Sequence, residues 1–542
     1  MDEGFADAST GGHGEQHLRR GYDERYDYGE HHNHDIHDDQ ILPGKTHSLW
    51  LDTTPDTNFP VQEKDIEVDT VIVGGGIVGI TCAVFLKEAG QTVALVEMRK
   101  IIKGATGHTT AKITSLQGLK YQKLLKAFPL KQARIYAEAN QAAIEKIAGL
   151  VNQKHIDCDF MRTSSYTYTE LQKNLNAIKN EEEAANKLGL PVAFTKDIPL
   201  PFDIKGAIRL DNQAQFHPRK YLLALANEIP GDGSYIFENT RAFKVEDGNP
   251  CVVTTAKGEI KAKNIILATA FPFYDTGLFA AKLYPHYAYA IGMYIESSVP
   301  KGIYYSEDDI HHSLRNQPTR DGLLLIVGGG YHKTGQGGDT LKQYKAIEEY
   351  ARDRFNLELI NSYWSTEDYD TPDEAPYIGK APKSKHIYMA TGFGGWGMTN
   401  GTISAMIITD EILGTQNPWS AFFNPSRHEP ATYGRKFLIE GINIAEQYTK
   451  GLFLRPEKAS PSELSNGEGA IVKADGKKIA AYRDDKGKLY TVSSICTHLG
   501  CPVNWNNAEQ TWDCTCHGSR FNINGEVIHG PATGDLPEEK AY

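Results

Sequence analysis

Apolar runs such as VDTVIVGG, TVALVE, NIILATA, GLLLIVGG and HIYMATG recur between positions 48 and 415, separated by stretches of helical period such as QARIYAEANQAAIEKIAGLV. Continuous apolar runs suit strands covered on both faces, and the longer stretches suit amphipathic helices, so the alternation predicts a mixed α/β body. The run TVIVGGGIVGITCAVFL, residues 70–86, is uncharged, but its four glycines predict strand, turn and helix rather than a membrane span. The pattern then changes. A Pro-, Asn- and aromatic-rich segment (NPWSAFFNPSRHEP) leads into a helical candidate (YGRKFLIEGINIAEQYTKGLF), together a linker over 416–458. SPSELSNGEG marks a flexible boundary. Beyond it, short runs with turn signals (AIVKADGKKIAAYRDDKGKLYTVSS) predict a small all-β domain over 459–542. At the other end, residues 1–46 are polar and Gly-, His- and Asp-rich without apolar period, and are expected to be disordered. The tail's histidines (His13, His17, His31, His32, His34 and His37) are read as solvated and given no role.

Composition narrows the partners. A chain of 542 residues, 40% hydrophobic, can bury several cores. A net charge of -12 and a pI near 5.9 set the whole surface against nucleic acid and anionic membranes. Small molecules or proteins are the expected partners. Asp2 and Glu3 follow Met1 where a signal peptide would be basic and then apolar, so the expected compartment is the cytoplasm, with no transmembrane segment.

The first chemical signal is VDTVIVGGGIVGITCAVFLKEAGQTVALVE. Gly74, Gly76 and Gly79 form GxGxxG after an apolar strand and open a helix, and Glu97 closes the next strand. Gly74 permits the tight turn, Gly76 lets backbone amides approach a pyrophosphate, and Gly79 lets helix and strand pack closely. The helix N-terminus then meets phosphate, while the Glu97 carboxylate accepts hydrogen bonds from a ribose. This unit alone leaves FAD and NAD open. LLLIVGGGYHKTG lacks the GxGxxG spacing and is not read as a second nucleotide site.

Four later stretches carry a resemblance: KGATGHTTAKIT, NQAQFHPRKYLLALA, NIILATAFP, and DTPDEAPYIG with HIYMATGFGGWGMTNGTISAMIITDEI. With the GxGxxG unit, they resemble the D-amino-acid oxidase-like (glycine oxidase and sarcosine oxidase) flavoproteins. The resemblance implies FAD, and an α/β FAD-binding Rossmann-like domain with an inserted α+β substrate domain over 47–415. It carries Gly74, Gly76, Gly79, Glu97, Thr106, Thr109, Gly392, Gly397 and Thr399 over as cofactor contacts; for the late glycines, a tight turn before a buried helix is the alternative. His108, with Gly104 and Thr106, matches a G-x-T-x-H stretch whose histidine bonds covalently to the flavin in the dimethylglycine dehydrogenase branch. A polar loop histidine beside the cofactor is the other reading of His108.

The second signal is CTHLGC with CTCHGS, where four of the seven cysteines and two histidines fall within residues 496–519. Zinc, a disulfide staple and a redox cluster all use these residue types. Zinc fingers usually place two to four residues between their first ligands, whereas one stands between Cys496 and His498. The motif pair resembles the Rieske iron-sulfur family over the final domain. The resemblance implies a [2Fe-2S] cluster with Cys496 and Cys514 on one iron and His498 and His517 on the other, and a disulfide between Cys501 and Cys516. Ser519 matches a hydroxyl that hydrogen-bonds a bridging sulfide, Phe521 stands where high-potential members carry tyrosine, and GPA at 530–532 resembles the loop covering the cluster. Neutral imidazoles in place of thiolates raise the cluster's potential.

Together the halves imply an FAD-dependent oxidoreductase, a dehydrogenase rather than an oxidase. It oxidises a small amine, amino acid or hydroxy acid and passes electrons singly to the cluster and on to an acceptor protein or quinone. A non-catalytic electron carrier or redox sensor, and a flavin oxidase with a structural Rieske domain, are the rival readings. No residue is assigned to the substrate chemistry; Tyr287, Tyr289, Tyr331 and His332 fit a buried core as well as a substrate wall. The two cofactor sites are expected in separately folded domains, so that loss of the cluster leaves FAD bound.

Overall fold

The computed structural model describes residues 42–427, 430–453 and 456–540. The six tail histidines therefore lie outside the described residues. The last residues of the predicted tail are held in place: Leu42 is buried and Lys45 bridges to Ser362.

The GxGxxG unit folds as its pattern predicts. Strand Ile66–Val73 pairs in parallel with Val93–Val96 on one side and Glu259–Leu267 on the other, and strand Ile387–Thr391 extends the sheet in parallel beyond the latter. Val71 and Ile72 are fully buried on opposite faces, Ile72 under helices and Val71 under the strands that carry Val245 and Val253, which is why this strand ends in a continuous apolar run. Helix Ile77–Glu88 packs on helix Gly397–Ile412, so residues more than 300 apart in the chain form one layer. Gly401 allows that approach: a Cβ there would stand 2.7 Å from Ile77 Cγ2. The segment 70–86 is strand, turn and helix, and among the described residues no helix is long and apolar enough to cross a membrane.

The inserted domain is a nine-stranded sheet whose long antiparallel members, Tyr284–Ile295, Gly322–Lys333 and Leu357–Asp370, lie side by side. LLLIVGGG is one of these strands. The sheet stands over the carboxyl ends of the parallel strands, where open α/β sheets place their ligands.

Helix Pro430–Phe453 follows, as its period predicts, and then an all-β domain of a three-stranded and a four-stranded sheet. Its core centres on the fully buried Trp512; Trp505 packs against it, stacks on Tyr482 and lies over Gly469, where a side chain would collide with the indole. This domain is seated on the larger one. Gln336 Nε2 donates to Thr515 O at 2.9 Å, Asn504 Nδ2 to Gly335 O at 2.8 Å, and Thr340 Oγ1 to Asn506 Oδ1 at 2.7 Å. The long helix braces the joint through Lys333–Glu440 and Gln336–Asn443.

Candidate functional sites at the domain junction

A cavity of about 340 Å³ runs from the first strand–helix turn to the inserted sheet. Gly74 takes the left-handed conformation (φ +113°), and a Cβ there would stand 2.6 Å from Ala268 O. Only glycine fits that turn. Gly75 N donates to Glu97 Oε2 at 2.9 Å, and Thr106 Oγ1 accepts from Ile77 N, so the turn and the acid are held together before any ligand arrives. Burial raises the Glu97 carboxyl above its ordinary range. Gly79 does not reach the cavity; a Cβ on it would lie 2.0 Å from Gly74 O, so its role is the close helix–strand contact.

The remaining expected contacts divide. Gly74, Gly76, Glu97, Thr106, His108, Thr109 and Gly397 line the cavity. Gly392 and Thr399 stand one layer behind: Gly392 turns against Thr371, and Thr399 Oγ1 accepts from Gln117 Nε2 at 3.3 Å. His108 bonds Gly104 O through Nδ1, at 3.0 Å, and burial lowers its pKa, favouring the neutral ring. Of the four substrate-side candidates, Tyr289 and Tyr331 line the cavity, while Tyr287 is wholly buried and His332 is bonded to Tyr289 behind it. Lys112 and Phe271 also line the cavity, among residues that no motif assigns. Lys112 donates to Thr110 and Ser313 hydroxyls, both at 2.8 Å, and burial, aided by Arg315, pushes its pKa down to about 7.

The second site lies in the small domain. Cys496 and Cys514 are buried, and the His498 and His517 rings meet edge to face with centroids 5.0 Å apart. Both Nδ1 atoms are buried without a hydrogen-bond partner. Two thiols and two imidazoles with unpartnered ring nitrogens form the donor set of a Rieske centre, and the residues present fit it. Cys501 and Cys516 are joined as a disulfide, so their sulfurs, although within 4.8 Å of a His517 nitrogen, are not free as ligands. Ser519 is fully buried and its Oγ accepts from Ala532 N at 2.9 Å, which holds the GPA turn over the site.

The two sites share a boundary. Phe271 lines the cavity and meets the His498 ring edge-on, centroids 6.1 Å apart. Tyr369 packs on Phe271, and its hydroxyl lies 3.5 Å from His517 O and 3.3 Å from Gly530 O. No local pattern marks Phe271 or Tyr369 for this role.

Comparison with known proteins agrees with both halves. The model of the DAO family, FAD dependent oxidoreductase, matches residues 69–411, and that of the Rieske [2Fe-2S] domain matches residues 457–539. YhfW of Bacillus subtilis (strain 168), named for a Rieske 2Fe-2S iron-sulfur centre, is 39% identical over 494 residues, 91% of this chain and 97% of that protein. Gamma-glutamylputrescine oxidoreductase of Escherichia coli (strain K12) is 22% identical over 413 residues, 72% of this chain and 94% of that one. Glycine oxidase from Geobacillus kaustophilus has the same fold over 67% of this chain and 99% of its own, with a TM-score of 0.55 at 17% identity.

Proposed function

The chain belongs to the DAO family of FAD dependent oxidoreductases and carries a Rieske [2Fe-2S] domain, and from that premise we propose that it is a dehydrogenase passing electrons from a small organic donor through FAD to the cluster. The donor class is an amine, an amino acid or a hydroxy acid, and the final acceptor is a protein or a quinone. Likeness to a gamma-glutamylputrescine oxidoreductase supports keeping amines in that set.

FAD supplies two-electron uptake with one-electron release, and the cluster supplies one-electron transfer. The chain's own residues supply position and shielding. Gly74, Gly75 and Gly76 bring bare backbone to the cavity wall where a pyrophosphate would approach, and Glu97 would offer its carboxylate to a ribose. Cys496, Cys514, His498 and His517 hold the irons in this reading, with His498 as the ligand turned toward the cavity. The observation that carries the proposal is Phe271, one ring in contact with both sites. A structural Rieske appendage would need no ligand placed at the cavity wall.

An anaerobic panel of amines, amino acids and hydroxy acids tests the reading through flavin absorbance. Bleaching by one of these classes is the expected result. A flavin that no such donor bleaches would favour an electron carrier or redox sensor. Stoichiometric peroxide at undiminished turnover from a cluster-free variant would favour a simple oxidase.

A further inference from the structure

The segment Val527–Thr533 of the small domain has two faces. One lines the cavity of the large domain from end to end of the segment. The other covers the iron site: Ala532 N donates to Ser519 Oγ at 2.9 Å, and Ala532 packs in one buried cluster with Cys496 and Cys514. Tyr369 holds the middle of the segment through Gly530 O, and two arginines of the large domain hold its ends. Arg99 donates to Ile528 O at 2.8 Å, Arg241 donates to Thr533 O at 2.7 Å, and the same Arg241 pairs with Asp535 at 3.1 Å. Asp535 also accepts from Val527 N at 2.9 Å, so one carboxylate pins the first residue of the segment and the arginine that holds its last.

Both arginines line the cavity at its Glu97 end; the Glu97 and Arg99 carbonyls accept from Thr240 N and Asn239 N. This is the end at which the dinucleotide fingerprint places the phosphates and ribose. The two guanidinium groups at that end are therefore positioned by carbonyls of the iron-sulfur domain. We propose that Val527–Thr533 is a shared wall of the two cofactor sites, pinned by Asp535, so that FAD binding and cluster occupancy strengthen each other. An empty iron site leaves the Ala532 face of the wall without its backing, which loosens the positions of Arg99 and Arg241. By linkage the effect runs equally in the other direction. Asp535 is a positioning residue: its side chain is 45% exposed and does not line the cavity. The inference rests on the reading that FAD fills this cavity and that the cluster fills the Cys/His site.

The experiment follows FAD release from the full holoprotein by recovery of flavin fluorescence after dilution, and cluster loss by visible absorbance during anaerobic chelation. Asp535→Ala is expected to speed both about tenfold, the scale of one charge-assisted hydrogen bond, and Asp535→Asn, which keeps an acceptor for Val527 N, should recover much of the loss. Wild-type chain stripped of its cluster should release FAD about tenfold faster, and FAD-depleted chain should lose its cluster faster by the same factor. FAD release unchanged in both Asp535→Ala and the stripped chain would overturn the proposal. Neither rate depends on a donor or acceptor, so the proposal and the dehydrogenase reading can fail separately.

Discussion

Phe521 is wholly buried, faces Trp512 across a strand pair, and packs in the same cluster as Cys496 and Cys514. Its ring brings no hydrogen-bond donor to the iron site. A donor near the cluster stabilises the reduced, more negative state, so Phe521→Tyr should raise the midpoint potential by some tens of millivolts, about the scale of one such bond. A redox titration followed by EPR checks this, and an unchanged or lower potential with the cluster intact would contradict it. At this scale the turn glycines and the Cys and His donor set were legible because each has a local chemistry: Gly74 turns, Gly79 lets a helix approach, and the Cys and His side chains carry atoms able to bind a metal. Gly392 and Thr399 stand one layer from the cavity because a family match gives the segment but not the direction a residue faces within it. Lys112 was not legible as a lining residue, since nothing in TTAKIT says that its amine ends between two hydroxyls of the cavity wall.

Among the elements, the two ligand loops at 496–501 and 514–519 matter most, and the Cys501–Cys516 disulfide ties them together. Both sulfurs are buried, so thiols reach them slowly, and a reducing compartment does not by itself open the bond. With 15 residues of separation, removing the bond in Cys501→Ser/Cys516→Ser should cost the domain about 3 kcal/mol. Denaturant unfolding followed at the cluster's visible absorbance measures that loss; an unchanged midpoint would mean that the loops are held by the domain interface instead. The helices at 130–153 and 430–453 and the strand–turn–helix at 66–88 were predictable from period and apolar runs. The order of strands in the inserted sheet was not, because the pairing of Tyr284–Ile295 with Leu357–Asp370 depends on residues some 70 positions apart.

At the scale of the whole molecule, the sequence divides into an FAD domain and an iron-sulfur domain, and the structure joins them both at Val527–Thr533 and through Gln336, Thr340 and Asn504. Arg99 with Ile528, and Arg241 with Asp535, are contacts between distant residues that no periodicity announces. The boundary expected at residue 459 falls beside Glu457 and Lys458, which pair with Ile471 and Val472 in the small domain's sheet. The hydrogen bonds that seat the small domain set the His498 ring against Phe271. The central claim is that electrons entering at FAD leave through the cluster of the same chain. Anaerobic photoreduction of the flavin in the holoprotein, with EPR of samples frozen at successive times, tests it most directly. The account predicts that the signal of the reduced Rieske centre grows as soon as flavin begins to take up electrons, at a rate independent of protein concentration. A flavin that becomes fully reduced while the cluster stays oxidised, or transfer that speeds up with concentration, would contradict it.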